Sequence, residues 1–210
     1  MQEGNELGLV ESDQTYDQAD LDSFFKKLAS NIPNGTHPVL NLMNRAKGPG
    51  TPSPNNTETM LDIEIAYPLV YPAGITMFQT SGGQNAILDG LDNVYCDHKY
   101  QCGLYEPTNV ISVSWEERES GAAVQTRVCN EYMKLGMQGV SALFASGDEG
   151  IAARYHSCGA NGSFVVQFPS SCPYVTPVGA TMGFPSPHTS DYSDLGSLVQ
   201  EKRLQTQTRK

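Results

Sequence analysis

Residues 108–145 read TNVISVSWEERESGAAVQTRVCNEYMKLGMQGVSALFA, and this stretch decides the fold class. Thr108–Trp115 is rich in β-branched residues, which suit a pleated surface. Ala122–Leu135 then sets Val124, Val128, Tyr132 and Leu135 on one helical face. Gly139–Ala145 returns to a short apolar run. A strand, a helix and a strand with short connections make a right-handed parallel unit. The expectation is an α/β chain with a mostly parallel sheet flanked by helices.

Upstream, Leu7-Gly8-Leu9-Val10 reads as a strand. Asp17 can cap a helix over about Gln18–Ser30, with Leu21, Phe24, Phe25 and Leu28 on its apolar face. Pro38–Leu42 and Ile75–Gln79 read as strands, and Gln84–Leu91 as a helix. Between them, Gly48–Asn56 is too rich in Pro and Gly for a regular element. Asn93–Glu106 is a cysteine-bearing excursion, and Phe164–Phe168 and Tyr174–Val178 read as further short strands. From about Gly183 the texture turns polar and ends in mixed charge.

The chain has 210 residues, 39% of them hydrophobic and 17% charged, which describes a globular protein rather than a disordered one. A net charge of -10 argues against nucleic acid and anionic membrane as partners. No apolar run approaches the roughly 18 residues that span a bilayer. Met1 is followed by QEGNE, which is no signal peptide, so the reading is a cytosolic protein or a chain without its true N-terminus.

Thr57–Tyr67, TETMLDIEIAY, reads as a helix with Thr57 as N-cap and Pro68 ending or kinking it. It is apolar on more than one side, as buried helices are. Glu58 and Asp62 are four apart and share a face. Buried, such a pair holds a proton between its members and suits acid–base chemistry. Solvated, it is only an acidic helix edge. Ser146-Gly147-Asp148-Glu149-Gly150 follows the strand ending at Ala145, where parallel α/β sheets collect function. Ser114 and Trp115 end the preceding strand and are candidates to wall a substrate groove.

Five cysteines leave an odd one. Cys96 with Cys102, and Cys158 with Cys172, are candidate local disulfides, while Cys129 on its helix reads as a buried free thiol. Asn34, Asn55 and Asn161 open glycosylation sequons in turn-like segments. With the cysteine pairs they lean toward a secretory route. His98, His156 and His188 show no metal-ligand spacing, so no metal site is expected. Gly35-Thr36-His37 resembles the Gly-Thr-His of subtilisins, but Pro38 stands where a helix would start and no G-x-S-x-G appears. His37 is read as coincidence.

Glu58-Thr-Met-Leu-Asp62-Ile-Glu, with the strand ending in Ala-Ser-Gly-Asp148-x-Gly, resembles the sedolisins, the serine-carboxyl peptidases. Asn5-Glu-Leu-Gly-Leu, Asp20-Leu-Asp-Ser-Phe-Phe, Asn31-Ile-Pro-Asn-Gly-Thr-His-Pro, Pro107-Thr-Asn-Val-Ile-Ser-Val-Ser-Trp, Cys129-Asn-Glu-Tyr-Met-Lys-Leu-Gly and Phe168-Pro-x-x-Cys172-Pro-Tyr-Val are similar to its fungal tripeptidyl-peptidase branch. The resemblance covers roughly residues 5 to 183. It implies a subtilisin-like core, acid-pH proteolysis of peptide substrates and a secreted or vacuolar setting. Glu58 would be the general base, Asp62 its hydrogen-bonded partner and Asp148 the oxyanion donor.

The departures matter too. The family's nucleophile lies in a Gly-Thr-Ser motif downstream of the oxyanion aspartate, and this chain has none; Thr189-Ser190 in the tail does not match. The family's calcium site near the C-terminus of the domain and its propeptide find no counterpart here. Glu149 stands where a small residue is usual and would perturb Asp148. Residues 1–183 therefore read as a partial peptidase domain truncated at its C-terminal side, and 184–210 as a divergent tail. The alternatives are an inactive product that binds a peptide or partner, or an unrelated doubly wound binding domain, which the breadth of the resemblance disfavours.

Overall fold

A computed structural model describes residues 5–51, 53–83, 86–92, 103–119, 121–148 and 166–179. The chain divides into two compact units, Met1–Ser114 and Trp115–Lys210.

The first unit is built on parallel strands in the order β2 (Val39–Leu42), β3 (Ile75–Thr80), β1 (Leu7–Ser12) and β4 (Val110–Val113). Leu9 of β1 lies opposite Met77 on one side and Ser112 on the other. β1 is thus hydrogen-bonded along both edges. β3 is buried at every residue, and β1 from Gly8 onward. That burial on both faces is why these strands read as apolar runs rather than alternating ones.

Helix α1 (Gln18–Leu28) is capped as expected: the Asp17 carboxylate accepts from the Asp20 N–H at 2.8 Å. Leu21 and Phe25 are fully buried, and Phe25 meets Tyr67 edge-to-face at 5.4 Å. Leu28, assigned to the same apolar face, is instead exposed because the helix ends there, with the Ala29 N–H closing onto the Phe25 carbonyl.

Helix α2 (Thr57–Val70) departs from expectation at both ends. Thr57 is its first residue rather than its cap, and Asn56 holds the cap position without a side-chain bond to the helix's own N–H groups. Gln14 replaces the cap from a distance: its Oε1 accepts from the N–H groups of Glu58 and Thr59. Pro68 lies inside the helix. One turn from the end it forfeits only the bond to the Glu64 carbonyl. Nor is the helix buried all round. Thr59, Ile63, Ala66 and Tyr67 face the core, while Leu61, Ile65 and Leu69 are exposed.

α3 spans Ile87–Leu91, and residues 84 and 85, where the sequence reading starts it, lie outside the described residues. In the second unit, α4 (Ala122–Met137) and β6 (Ser141–Ala145) appear where the sequence placed them. Val128, Cys129, Tyr132 and Leu135 are buried, whereas Val124 in the first turn is exposed. Tyr132 meets Phe144 of β6 edge-to-face at 5.1 Å. β8 (Thr176–Val178) runs parallel to β6. A short antiparallel ribbon joins β5 (Glu117–Arg118) to β7 (Gln167–Phe168), and β5 had no sequence signal.

Cys129 is not a free thiol. It is bonded to Cys172, with the Cα atoms 5.6 Å apart. This also overturns the pairing of Cys172 with Cys158. The partners are 43 residues apart, and only the fold brings them together. Cys158, Cys96, Cys102, Asn161, Glu149, His98, His156, His188 and the tail 184–210 lie outside the described residues. Asn34 and Asn55 are both exposed.

Gly8 lets β1 pass close to its neighbours, since a Cβ there would run into Thr108 Oγ1 and the Phe78 ring. Gly8→Val should therefore destabilise the first unit by about 1–3 kcal/mol, read as a lower urea midpoint with unchanged slope.

Candidate active site: an acidic cluster at the start of α2

Three carboxyl groups gather in the first unit. Glu58 and Asp62 come from consecutive turns of α2. Glu11, which the sequence reading did not single out, comes from β1. Glu11 is fully buried, and its Oε2 accepts from Thr59 Oγ1 at 2.8 Å. Asp62 Oδ1 accepts from Ser114 Oγ at 2.9 Å.

Burial raises the Glu11 pKa well above the usual carboxylate range. The Asp62 charge raises it further, Thr59 opposes, and Glu58 adds a smaller repulsion. Burial raises Asp62 as well, against the hydrogen bonds from Ser114 and Glu11. The directions are those of a neutral Glu11 that donates its proton to Asp62. Unprotonated, Glu11 would leave Oε1 buried without a partner. Glu11 is thus a further carboxyl partner of Asp62, beside Glu58 one turn away on the same helix. A lone glutamate in a strand carries no spacing signal, which is why it escaped notice.

The segment before α1 holds the entry to α2. Besides the Gln14 bonds, the Thr15 N–H donates to Asn56 Oδ1, and Asn56 Nδ2 donates to Thr15 Oγ1. Ser114 thus belongs to the acidic cluster by its hydroxyl. Trp115 opens the second unit, and its indole Nε1 is buried without a hydrogen-bond partner.

Asp148 stands three residues beyond β6 and is exposed. Gly147 before it has φ 91°, a conformation that favours glycine. The approach is anchored: Ser170 Oγ donates to the Ala145 carbonyl at 2.6 Å, and the Ser146 N–H to the Val178 carbonyl at 2.9 Å. His37 is exposed and its ring nitrogen lies against the Pro38 carbonyl. Among the described residues no group of three His, Cys, Asp or Glu side chains is arranged to hold a metal ion, and no helix is long and apolar enough to cross a membrane.

A raised carboxyl pKa in the folded state means that stability falls as pH climbs from the unfolded value, near 4.5 for Glu11, through the folded one. Denaturation midpoints should therefore decline from acid toward neutral pH. Glu11→Gln keeps an acceptor for Thr59 and a donor for Asp62 without the titration, and should flatten that decline. An unchanged slope in the variant would remove Glu11 as its source.

No protein-family model matches the chain. It is 41% identical to aorsin of Aspergillus oryzae over 86% of its own length and 34% of that protein. It is 37% identical to tripeptidyl-peptidase sed1 of Aspergillus fumigatus, over 85% of its length and 34% of that one. The chain thus spans about a third of the curated relatives it matches. Its fold is similar to that of Pseudomonas sedolisin, a serine-carboxyl proteinase solved with two molecules of pseudo-iodotyrostatin. There the TM-score is 0.56 at 16% identity, covering 88% of this chain and 50% of that one. By sequence the chain is similar along most of its own length to part of aorsin and of tripeptidyl-peptidase sed1, and its fold is similar to that of the sedolisin, the family its sequence resembles.

Proposed function

We propose that this chain is the front part of the catalytic domain of an acid-acting serine-carboxyl peptidase. The observation that carries the reading is the convergence of Glu58, Asp62 and a buried Glu11 at the start of α2. In this reading Glu58 takes the proton of a serine hydroxyl as it attacks a peptide carbonyl. Asp62 orients Glu58, and Glu11 holds Asp62 in turn. Asp148 is the side-chain donor to the oxyanion. A carboxylate base works in acid, where histidine would already carry its proton.

The 210 residues contain no Gly-Thr-Ser, so the nucleophile comes from a segment outside this chain. An apolar wall beside Asp62 supports that. Leu61, Ile65 and Leu69 are 52%, 55% and 80% exposed. With Leu7, Leu9 and Ser112 they border a cavity of about 400 Å3 that Asp62 also lines. Such a wall fits a domain whose remaining segment lies against it. The family's calcium site and propeptide belong to other segments, and a secreted or vacuolar setting fits acid chemistry. The missing Gly-Thr-Ser equally favours a second reading, in which the chain is an inactive product that binds a peptide or partner.

The 210-residue chain alone should not turn over a peptide reporter at acid pH. Residues 1–183 joined to a sedolisin segment that carries Gly-Thr-Ser should do so. In that fusion Glu58→Gln should lower kcat by about 10²–10⁴, and Asp148→Ala by about 10²–10³. Turnover by the isolated chain that Glu58→Gln abolishes would overturn the fragment reading. A fusion indifferent to Glu58→Gln would overturn the base.

A further inference from the structure

The Asp148 side chain is exposed, and Gly147 before it sits at φ 91°, where glycine has no Cβ to restrain it. A group that must meet a reacting atom to within about 0.5 Å therefore needs its backbone held from elsewhere. Within the second unit three contacts provide that hold. The Ser146 N–H donates to the Val178 carbonyl at 2.9 Å, prolonging the pairing of β6 with β8. Gln167 of β7 is buried and lies against Gly147: a Cβ there would stand 3.3 Å from Gln167 Cγ. Ser170 Oγ donates to the Ala145 carbonyl at 2.6 Å, at the short end of O–H···O bonds.

The first contact is backbone and open to any residue. The other two depend on side chains of β7 and the turn that follows it. The Ser171 N–H closes that turn onto the Gln167 carbonyl at 3.0 Å, and the Cys172 N–H onto the Pro169 carbonyl at 2.8 Å. Its far end is crosslinked to α4 through Cys172 and Cys129. α4 in turn leads through Gly139, at φ 93°, into β6. A closed ring results. It runs from Cys129 along α4 and β6 to Ala145, across to Ser170, on to Cys172 and back through the disulfide. Every link but one is covalent, and the Ser170 hydroxyl makes the last. Ser170 is wholly buried, so its oxygen has given up water and has the Ala145 carbonyl in exchange. Alanine would fill the space without that desolvation, so packing alone does not account for a serine here.

We propose that Ser170 is a positioning residue for Asp148: its hydroxyl, on a turn pinned to α4 by the disulfide, fixes the Ala145 carbonyl and with it the backbone that presents the carboxyl. The proposal rests on the reading of Asp148 as the oxyanion donor. It is tested in the full 210-residue chain, disulfide intact, by amide hydrogen exchange followed by NMR. Ser170→Ala should speed exchange at Ser146 and Gly147 roughly three- to tenfold and shift the Asp148 amide resonance, while β1 and β3 keep the parent rates. Ser170→Thr, which keeps a hydroxyl, should restore most of the protection, and Ser171→Ala, one residue along the turn, should cost none. Where Ser170→Ala does not fold, the parent chain decides. A hydroxyl proton held on a carbonyl and out of water exchanges slowly enough to give a resolved resonance, and Ser170 should show one. Unchanged rates at Ser146 and Gly147 in folded Ser170→Ala, an equal rise in Ser171→Ala, or no resolved Ser170 hydroxyl proton would overturn the proposal. Turnover by the serine-bearing fusion separates it from the role of Asp148. Loss of kcat in Asp148→Ala with the turn unmoved by Ser170→Ala would sink Ser170 and spare the oxyanion donor. The opposite pair of results would sink the donor and leave Ser170 holding the turn.

Discussion

A carboxyl group placed where water does not reach governs the first unit. Glu11 lies near the end of β1, opposite Gln79 of β3, and its side chain is fully buried. Ionised there, it would bear a solvation penalty that proteins avoid by keeping the group neutral. A neutral acid needs one acceptor for its proton and one donor for its other oxygen. Asp62 and Thr59 provide them, and both come from α2. Three residues apart, they lie on the same side of the helix. Meeting both demands fixes the rotation of α2 about its axis. Ile63, Ala66 and Tyr67 then turn into the core, and Leu61, Ile65 and Leu69 turn away from it.

The same constraint explains the unusual start of the helix. Its first N–H groups receive no local cap and are met by Gln14, just beyond the strand that carries Glu11. A neutral amide satisfies those donors without adding charge. Glu58, in the first turn, is left as the negative side chain near the positive end of the helix, where such a charge is favourable. Strand, capping residue and acidic pair are therefore one device, built from residues 11–14 and the first two turns of α2.

Local features were legible in the sequence, and non-local ones were not. The Asp17 cap, the apolar strands β1 and β3 and the order β4, α4, β6 follow from short-range patterns, and they appear where those patterns put them. The Glu58–Asp62 spacing was visible for the same reason. Glu11 was hidden because its partners lie 48 and more residues away, and the Gln14 cap because it acts across 44. The disulfide misled for a related reason. Proximity in sequence favoured Cys158 for Cys172, whereas the fold set the buried face of α4 against the turn after β7. α2 misled through composition. An apolar helix implies burial, yet one of its rows faces outward.

That outward row bears on the chemistry as well as on packing. Burial is the first cause of the raised Asp62 pKa, and Asp62 lines the cavity that Leu61, Ile65 and Leu69 border. Any segment seated on that wall excludes more water from Asp62 and holds its proton to higher pH. Glu11 responds in the opposite sense. A neutral Asp62 no longer adds its charge to the repulsion that keeps Glu11 protonated. Burial of Asp62 and the charge it presents to Glu11 are therefore linked. Covering the apolar wall and poising the acid pair are one physical event, since both amount to removing water from the same few ångströms of surface.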